Sequence, residues 1–314
     1  MRGIPGPGRL REAAGSPLAG RVAVVTGAAR GVGAALARSL SDAGMLVALT
    51  GREEATLRRA AASLPGRSVC VETDVSDQDA LDRAAREIGE TLGPASVVVA
   101  NAGIATGGPF VHTPADLWQR VVDVNLTGSA NTARAFLPHL MDTRGYFLQI
   151  ASTAAFGSSP MMSAYCASKA GAESFALALR GEVEPDGVGV GIAYLHWTGT
   201  DMITGIDDHP VLKALRSNQP RFARKVHSTE EVSAWLTSGI TRRARHVYAP
   251  PWLRWCQPLR PAFPALVSRL ARRELRRQPP SRLAADTGVL GAGGRADFDA
   301  YQAATRPHPP QQRP

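Results

Sequence analysis

Tyr165 and Lys169 stand four positions apart in SAYCASKAGAESFALALR, residues 163–180. Ala172, Phe175, Ala176 and Leu179 recur at the i, i+3, i+4, i+7 spacing of an amphipathic helix, which puts the phenol and the ammonium one turn apart on the same face. A positive charge beside a phenol favours the phenolate. It would lower a pKa that is ordinarily about 10 and make Tyr165 a proton donor and acceptor near neutral pH. An isolated Tyr-x-x-x-Lys is more often a half-buried tyrosine with a solvated lysine beside it, so the choice rests on what else the chain brings to this helix.

Upstream, RVAVVT runs straight into TGAARGVGAALARSL, with Gly27, Gly31 and Gly33 at the turn. Glycine lets backbone approach a pyrophosphate closely, and the free amides and positive end of the following helix meet its charge. A dinucleotide site built from Gly27, Arg30, Gly31, Val32 and Gly33 is expected, the alternative being a Gly-rich turn without a ligand. Between residues 20 and 249 seven short β-branched runs alternate with helical periodicity: RVAVVT, MLVALT, RSVCVET, ASVVVAN, GYFLQIAS, VGVGIAYL and RHVYAP. Such alternation predicts one α/β domain, a doubly wound parallel seven-stranded sheet of the Rossmann type with its ligand crevice at the carboxyl ends of the strands. Residues 198–228 are the most polar and irregular part of this body and are expected to form a substrate lid carrying Met202, Ile203, Ile206 and Phe222.

In order along the chain, TGAARGVG, Asp74-Val75, Asn101-Ala102-Gly103, Asn125 in DVNLTG, Ser152 in IAST thirteen residues before Tyr165, and Tyr165 with Lys169 form a series. The series resembles the short-chain dehydrogenase/reductase family in its compact form, over roughly residues 20–249. The resemblance implies that Tyr165 exchanges a proton with a substrate oxygen, that Ser152 orients that oxygen and that Lys169 holds the cofactor ribose. It implies that Asn125 links Lys169 to solvent through water, whereas a bland reading has Asn125 satisfying backbone. It further implies cofactor contacts from Asp74, Val75, Asn101, Ala102, Gly103, Thr198 and Thr200, and a homo-oligomer packed through the helices containing residues 125–142 and 163–184. The activity implied is an oxidoreductase interconverting a secondary alcohol and a ketone on an apolar small molecule.

Cofactor choice turns on ALTGREE at the end of the second strand. An acidic residue there takes a ribose 2′-hydroxyl, and an arginine accepts a 2′-phosphate. Gly51 then Arg52 occupy this place, with Arg30 nearby in the glycine turn, so NADP is expected and NAD is the alternative. Where the family usually has Pro-Gly after the sixth strand, this chain has Leu195-His196. That loop must turn differently, which makes His196 and Trp197 candidates for the substrate wall or for mere packing.

The net charge of +9 is uneven: residues 241–280 hold ten arginines and one acid, Glu274. Basic charge thus belongs to an extension over 250–280, where Phe263, Leu266, Val267 and Leu270 oppose Arg269, Arg272, Arg273 and Arg276 as a basic amphipathic helix. With Trp252 and Trp255 the segment 250–277 suits a peripheral membrane contact, and it suits packing on the body equally well. Lysines and aromatic stacking platforms for nucleic acid are missing from its arginine helix. Residues 1–19, rich in Gly, Pro and Arg, and residues 281–314 read as disordered. Three scattered cysteines, no metal-ligand spacing and no Gly-x-Ser-x-Gly disfavour disulfide, metal and hydrolase chemistry, and a cytoplasmic location is the default. Two other classes compete with the enzyme: a protein that kept the fold and lost turnover, and a membrane-surface protein whose tail is the main element.

Overall fold

Uninterrupted apolar runs become strands when both faces of a sheet are covered, because no position then needs to be polar. In this computed structural model, which describes residues 16–277, 279 and 287–305, the strands are β1 (Val22–Thr26), β2 (Leu46–Gly51), β3 (Ser68–Glu72), β4 (Ala95–Ala100), β5 (Ala105–Gly107), β6 (Tyr146–Ser152), β7 (Gly189–Leu195), β8 (His246–Ala249) and β9 (Gly288–Leu290). The helices are α1 (Gly31–Asp42), α2 (Glu54–Ala61), α3 (Gln78–Leu92), α4 (Ala115–Val122), α5 (Gly128–Asp142), α6 (Ser163–Val183), α7 (Asp201–Asp208), α8 (Pro210–Ser217), α9 (Thr229–Thr241), α10 (Phe263–Leu275) and α11 (Ala292–Thr305). Seven strands pair in the order β3-β2-β1-β4-β6-β7-β8, all parallel, and each coincides with one of the apolar runs.

Alternate residues feed opposite cores. Val22 and Val24 of β1 pack with Leu81 and Ile88 of α3, Phe136 and Leu140 of α5 and Leu179 of α6. Ala23 and Val25 pack with Leu36 and Leu40 of α1, Leu57 of α2 and Leu236 and Ile240 of α9. Each such large side chain removed from water contributes roughly 1.5 to 3 kcal/mol, which is why both helical layers stay on the sheet. The strand order reverses between β1 and β4, so the crevice opens at their carboxyl ends. The irregular stretch after β7 is not a plain loop: it folds into α7 and α8, with His209 capping α8 through Nδ1 and the Leu212 amide.

Beyond β8 the chain stays on the body. Residues 251–262 wind as 3-10 turns and lead into α10. Arg260 reaches α6, where its guanidinium pairs with both oxygens of buried Glu173, to which Tyr194 also donates. α10 buries Ala271 and Glu274, while Leu266 and Leu270 remain 53% and 44% exposed with the arginines around them. The expected amphipathic helix therefore forms, attached to the fold along one edge.

The expectation of a disordered stretch over 281–314 is corrected for 287–305, which holds β9 and α11. β9 pairs antiparallel with β5, Leu290 opposite Ala105, and Leu290 joins Ile206, Val211 and Leu212 in a small apolar cluster. Three apolar residues carry too weak a local signal to read as a strand. A partner strand supplied from almost two hundred residues earlier gives them their hydrogen bonds. The rest of 281–314 and residues 1–15 of the leader lie outside the described residues; at the leader's end Leu18 is buried.

Candidate active site

The glycine turn is shaped by contacts that leave no room for side chains. Gly27 sits at φ +64, and a Cβ on it would lie 2.8 Å from the Ala102 Cα; one on Gly33 would lie 2.3 Å from the Gly27 carbonyl oxygen. Asn101 fixes the turn by donating through Nδ2 to the carbonyls of Thr26 at 2.9 Å and Gly27 at 3.2 Å, while Thr26 Oγ1 accepts from the amides of Asn101 and Ala102. Arg30 is the N-cap of α1, no side chain among the described residues caps that helix, and its first turn, Gly31 to Gly33, lines the crevice. Thr200 overlies Gly31. Gly27, Gly31, Val32, Gly33, Asn101, Ala102, Gly103, Asp74, Val75, Thr198 and Thr200 all line one cavity of about 1610 Å³. A glycine cradle at a helix N-terminus beside so large a cavity fits a nicotinamide dinucleotide, which these residues would hold.

Ser152, Tyr165 and Lys169 line the same cavity, carried there by the end of β6 and the first turns of α6. Lys169 is 4% exposed, its Nζ donates to the Ile150 carbonyl at 3.0 Å, and it lies 5.9 Å from the centre of the Tyr165 ring. The expectation that the ammonium lowers the phenol's pKa in the folded chain is corrected by burial. Burial pushes Tyr165 up to about 12, with its hydrogen bond to Ser152 pulling the other way, and burial brings Lys169 down to about 8. Low dielectric disfavours the charged form of each group, and in both cases that cost of burial is the largest influence. Asn125 is fully buried in a π-turn between α4 and α5, where its amide clamps Ile104: Oδ1 accepts from the Ile104 amide at 2.8 Å, and Nδ2 donates to the Ile104 carbonyl at 2.9 Å and to Ser168 Oγ. These three hydrogen bonds fix the Asn125 amide against Ile104 and α6. Gly103 separates it from Lys169, since a Cβ there would meet Asn125 Oδ1 at 3.1 Å and Lys169 Nζ at 3.3 Å.

The loop that lacks Pro-Gly keeps one ladder bond past the end of β7, then bends at Trp197 and bridges to His227 through Thr198. The His196 amide donates to the Ala249 carbonyl, the Gly199 amide to His227 and the His227 amide to Trp197. His196 Nε2 faces the Ala223 carbonyl at 2.7 Å, which only accepts, so Nε2 carries the proton and Nδ1 accepts from Thr153 Oγ1 at 3.0 Å. Burial holds His196 down at about 4, so the ring is neutral at pH 7. Trp197 donates to Gln219 Oε1 at 2.8 Å, and the Arg216 guanidinium stacks over its ring. Both side chains line the cavity while tying the lid to the sheet, so packing and wall are one role here.

At the far end of the cavity Arg30 pairs with Glu53, and Arg52 pairs with Asp74 at 3.4 Å. Asp74 also accepts from the Ser76 amide and hydroxyl and from Arg120 at 2.8 Å; burial alone would raise its carboxyl, but these bonds hold it below the usual carboxylate range. Arg120 and Asp297 complete this group and were invisible to motif reasoning. They lie 177 residues apart, and neither sits in a recognisable pattern.

A family model for short chain dehydrogenase matches residues 21–210. The meso-2,3-butanediol dehydrogenase of Serratia marcescens is 33% identical over 186 residues, which cover 59% of this chain and 74% of that one. The probable oxidoreductase EphD of Mycobacterium tuberculosis is 29% identical over 252 residues, 76% of this chain and 40% of a longer relative. Among solved structures, a metagenomic short-chain oxidoreductase in complex with NADP aligns with TM-score 0.54 and 32% identity over 56% of this chain and 82% of its own. A short chain dehydrogenase/reductase from Burkholderia phymatum in complex with NAD aligns with TM-score 0.66 and 26% identity, covering 75% and 91%.

Proposed function

Because this chain belongs to the short-chain dehydrogenase family, we propose that it is an NADP-dependent oxidoreductase interconverting a secondary alcohol and a ketone on an apolar small molecule. The observation that carries this reading is the meeting of Ser152, Tyr165 and Lys169 on the cavity that the glycine turn also lines. A dinucleotide held by that turn supplies or accepts the hydride. Tyr165, protonated at neutral pH with its pKa near 12, gives its phenolic proton to a ketone oxygen, and in the alcohol direction takes it back. Ser152 holds the same oxygen as a neutral donor, and buried Lys169, cationic below about 8, stabilises negative charge left on the phenol. Met202, Ile203, Ile206, Phe222, Trp252 and Leu270 give the substrate end an apolar wall, which favours a ketone carried on hydrocarbon. Incubation with NADPH and a panel of cyclic and aromatic ketones, followed by loss of the reduced nicotinamide absorbance, tests this. Tight dinucleotide binding with no turnover across the panel would favour a binding protein that kept the fold.

The NADP assignment rests on Arg52 and Arg30 at the end of β2 and in the glycine turn. Arg52→Asp is expected to lower the ratio of kcat/KM for NADPH over NADH by about tenfold or more, since a charge-assisted hydrogen bond contributes roughly 1.5 to 3 kcal/mol and a carboxylate there repels phosphate. An unmoved ratio makes Arg52 a surface charge.

A specific observation also favours a peripheral membrane contact through 250–277. Phe222, Leu266 and Leu270 line the cavity and are exposed, and Trp255 and Leu259 of the same extension are exposed too, with Arg221, Arg224, Arg254 and Arg269 close in sequence. No helix among the described residues is long and apolar enough to cross a membrane, and an interfacial contact needs none. Each arginine near an anionic bilayer contributes roughly 1 kcal/mol. The full-length protein is expected to co-sediment with anionic vesicles at low salt and to release as ionic strength rises; indifference to vesicles at every salt concentration ends this reading.

A further inference from the structure

The end of the chain enters the site. After β9, α11 runs along the crevice: a Cβ added to Gly293 would lie 3.2 Å from Arg30 Cδ and one on buried Gly294 2.6 Å from Val289 Cγ1, and Gly293, Gly294, Ala296, Asp297 and Ala300 line the same cavity as the glycine turn. Asp297 is the charged group of this helix that points inward. Its Oδ1 accepts from Arg52 Nη1 at 2.7 Å and from Arg120 Nη2 at 2.8 Å, its Oδ2 from Arg120 Nε at 2.8 Å, and its backbone carbonyl from Arg52 Nη1 at 2.8 Å. Tyr301, one turn on, lies against the Arg120 guanidinium at 5.1 Å. Arg120 is 2% exposed, so this contact is built into the fold and not draped on its surface.

A carboxylate gripped by two nitrogens of the Arg120 guanidinium and by one of Arg52 occupies the kind of place that a phosphate monoester would also take. Arg52 and Arg120 carry two positive charges, Asp74 and Asp297 two negative ones, and the four form one contiguous network. A dianionic 2′-phosphate reaching Arg52 must displace Asp297 from it, whereas a 2′-hydroxyl leaves that pair in place, so the carboxylate narrows the preference for NADP that Arg52 and Arg30 confer. We propose that Asp297, delivered by the C-terminal helix, is a specificity-determining residue for the cofactor: it competes with the 2′-phosphate for Arg52 and supplies the carboxylate that the end of β2 lacks. The inference rests on the dinucleotide reading above and goes beyond it, because it places a determinant of cofactor choice outside the sheet and its loops. It also implies that NADPH binding loosens α11 from Arg52 while NADH leaves it in place.

Dissociation constants of NADPH and NADH, measured by calorimetry on the full-length wild type, Asp297→Asn and Asp297→Ala, test this. Asn keeps the size of the side chain and removes the charge; Ala guards against a misfolded single variant. The expected result is NADPH binding about tenfold tighter in both variants, with NADH changed less than about threefold or weakened. In the wild type, trypsin should cut after exposed Arg295 of α11 faster with NADPH than with NADH. Equal changes for the two dinucleotides, or none, overturn the proposal while leaving the oxidoreductase reading intact. A wild type that binds neither dinucleotide overturns both.

Discussion

Tyr165→Phe is expected to cut kcat/KM for ketone reduction by roughly 10² to 10⁴, the usual contribution of a positioned general acid, with the dinucleotide dissociation constant unchanged within about threefold. Only the hydroxyl proposed to move the proton is lost; the ring remains in the cavity wall. The pH dependence has a definite sign. An acid whose pKa is raised to about 12 keeps its proton through neutral pH, so the free enzyme is poised to donate, and reduction is expected to stay available there while alcohol oxidation rises with pH. Steady-state kinetics in both directions with calorimetric cofactor binding checks this. Turnover surviving within about tenfold would take the proton-transfer role away from Tyr165.

Arg260→Ala is expected to destabilise the fold by about 2 to 3 kcal/mol, seen as a fall in Tm of roughly 5 to 10 °C. The change leaves Glu173, 7% exposed at its side chain, without its cation inside the fold, and removing one partner of a buried pair costs more than the pair itself contributes. The estimate sits below the range for fully buried pairs because the Arg260 side chain is 28% exposed. Adding Glu173→Gln should recover about half of the loss, since the amide still meets Tyr194 and carries no charge to strand. An unchanged Tm would mean that residues 250–277 ride on the body without supporting it, and would strengthen the case for a separate surface role.

The sheet was legible because its signal is local and repeated. Each parallel strand must be apolar at successive positions, so seven β-branched runs announce themselves without any knowledge of their neighbours. The glycine turn was legible for a related reason: positive φ at Gly27 and the crowded backbone at Gly33 admit one residue type, and the requirement is written at those positions. The α6 pair was legible as geometry, since four positions on a helix fix one face. Its electrostatics were not. Whether Lys169 lowers Tyr165 or burial raises it depends on how much water the surrounding layers remove, which is a property of α6 against β6 and of no single stretch.

Everything around Asp297 belongs to tertiary structure alone. The tail from 281 is polar and rich in small residues, and a weak strand or a glycine-led helix there has no periodic signature strong enough to outweigh that composition. Residues 105–107 supply the pairing edge, Arg52 and Arg120 supply the charge, and these come from three distant parts of the chain. Composition along the sequence determined where a parallel sheet and a dinucleotide turn would form, because those depend on conformational preference residue by residue. Which carboxylate answers Arg52 was decided by folding, because an ion pair is set by distance in space, and sequence separation does not enter Coulomb's law.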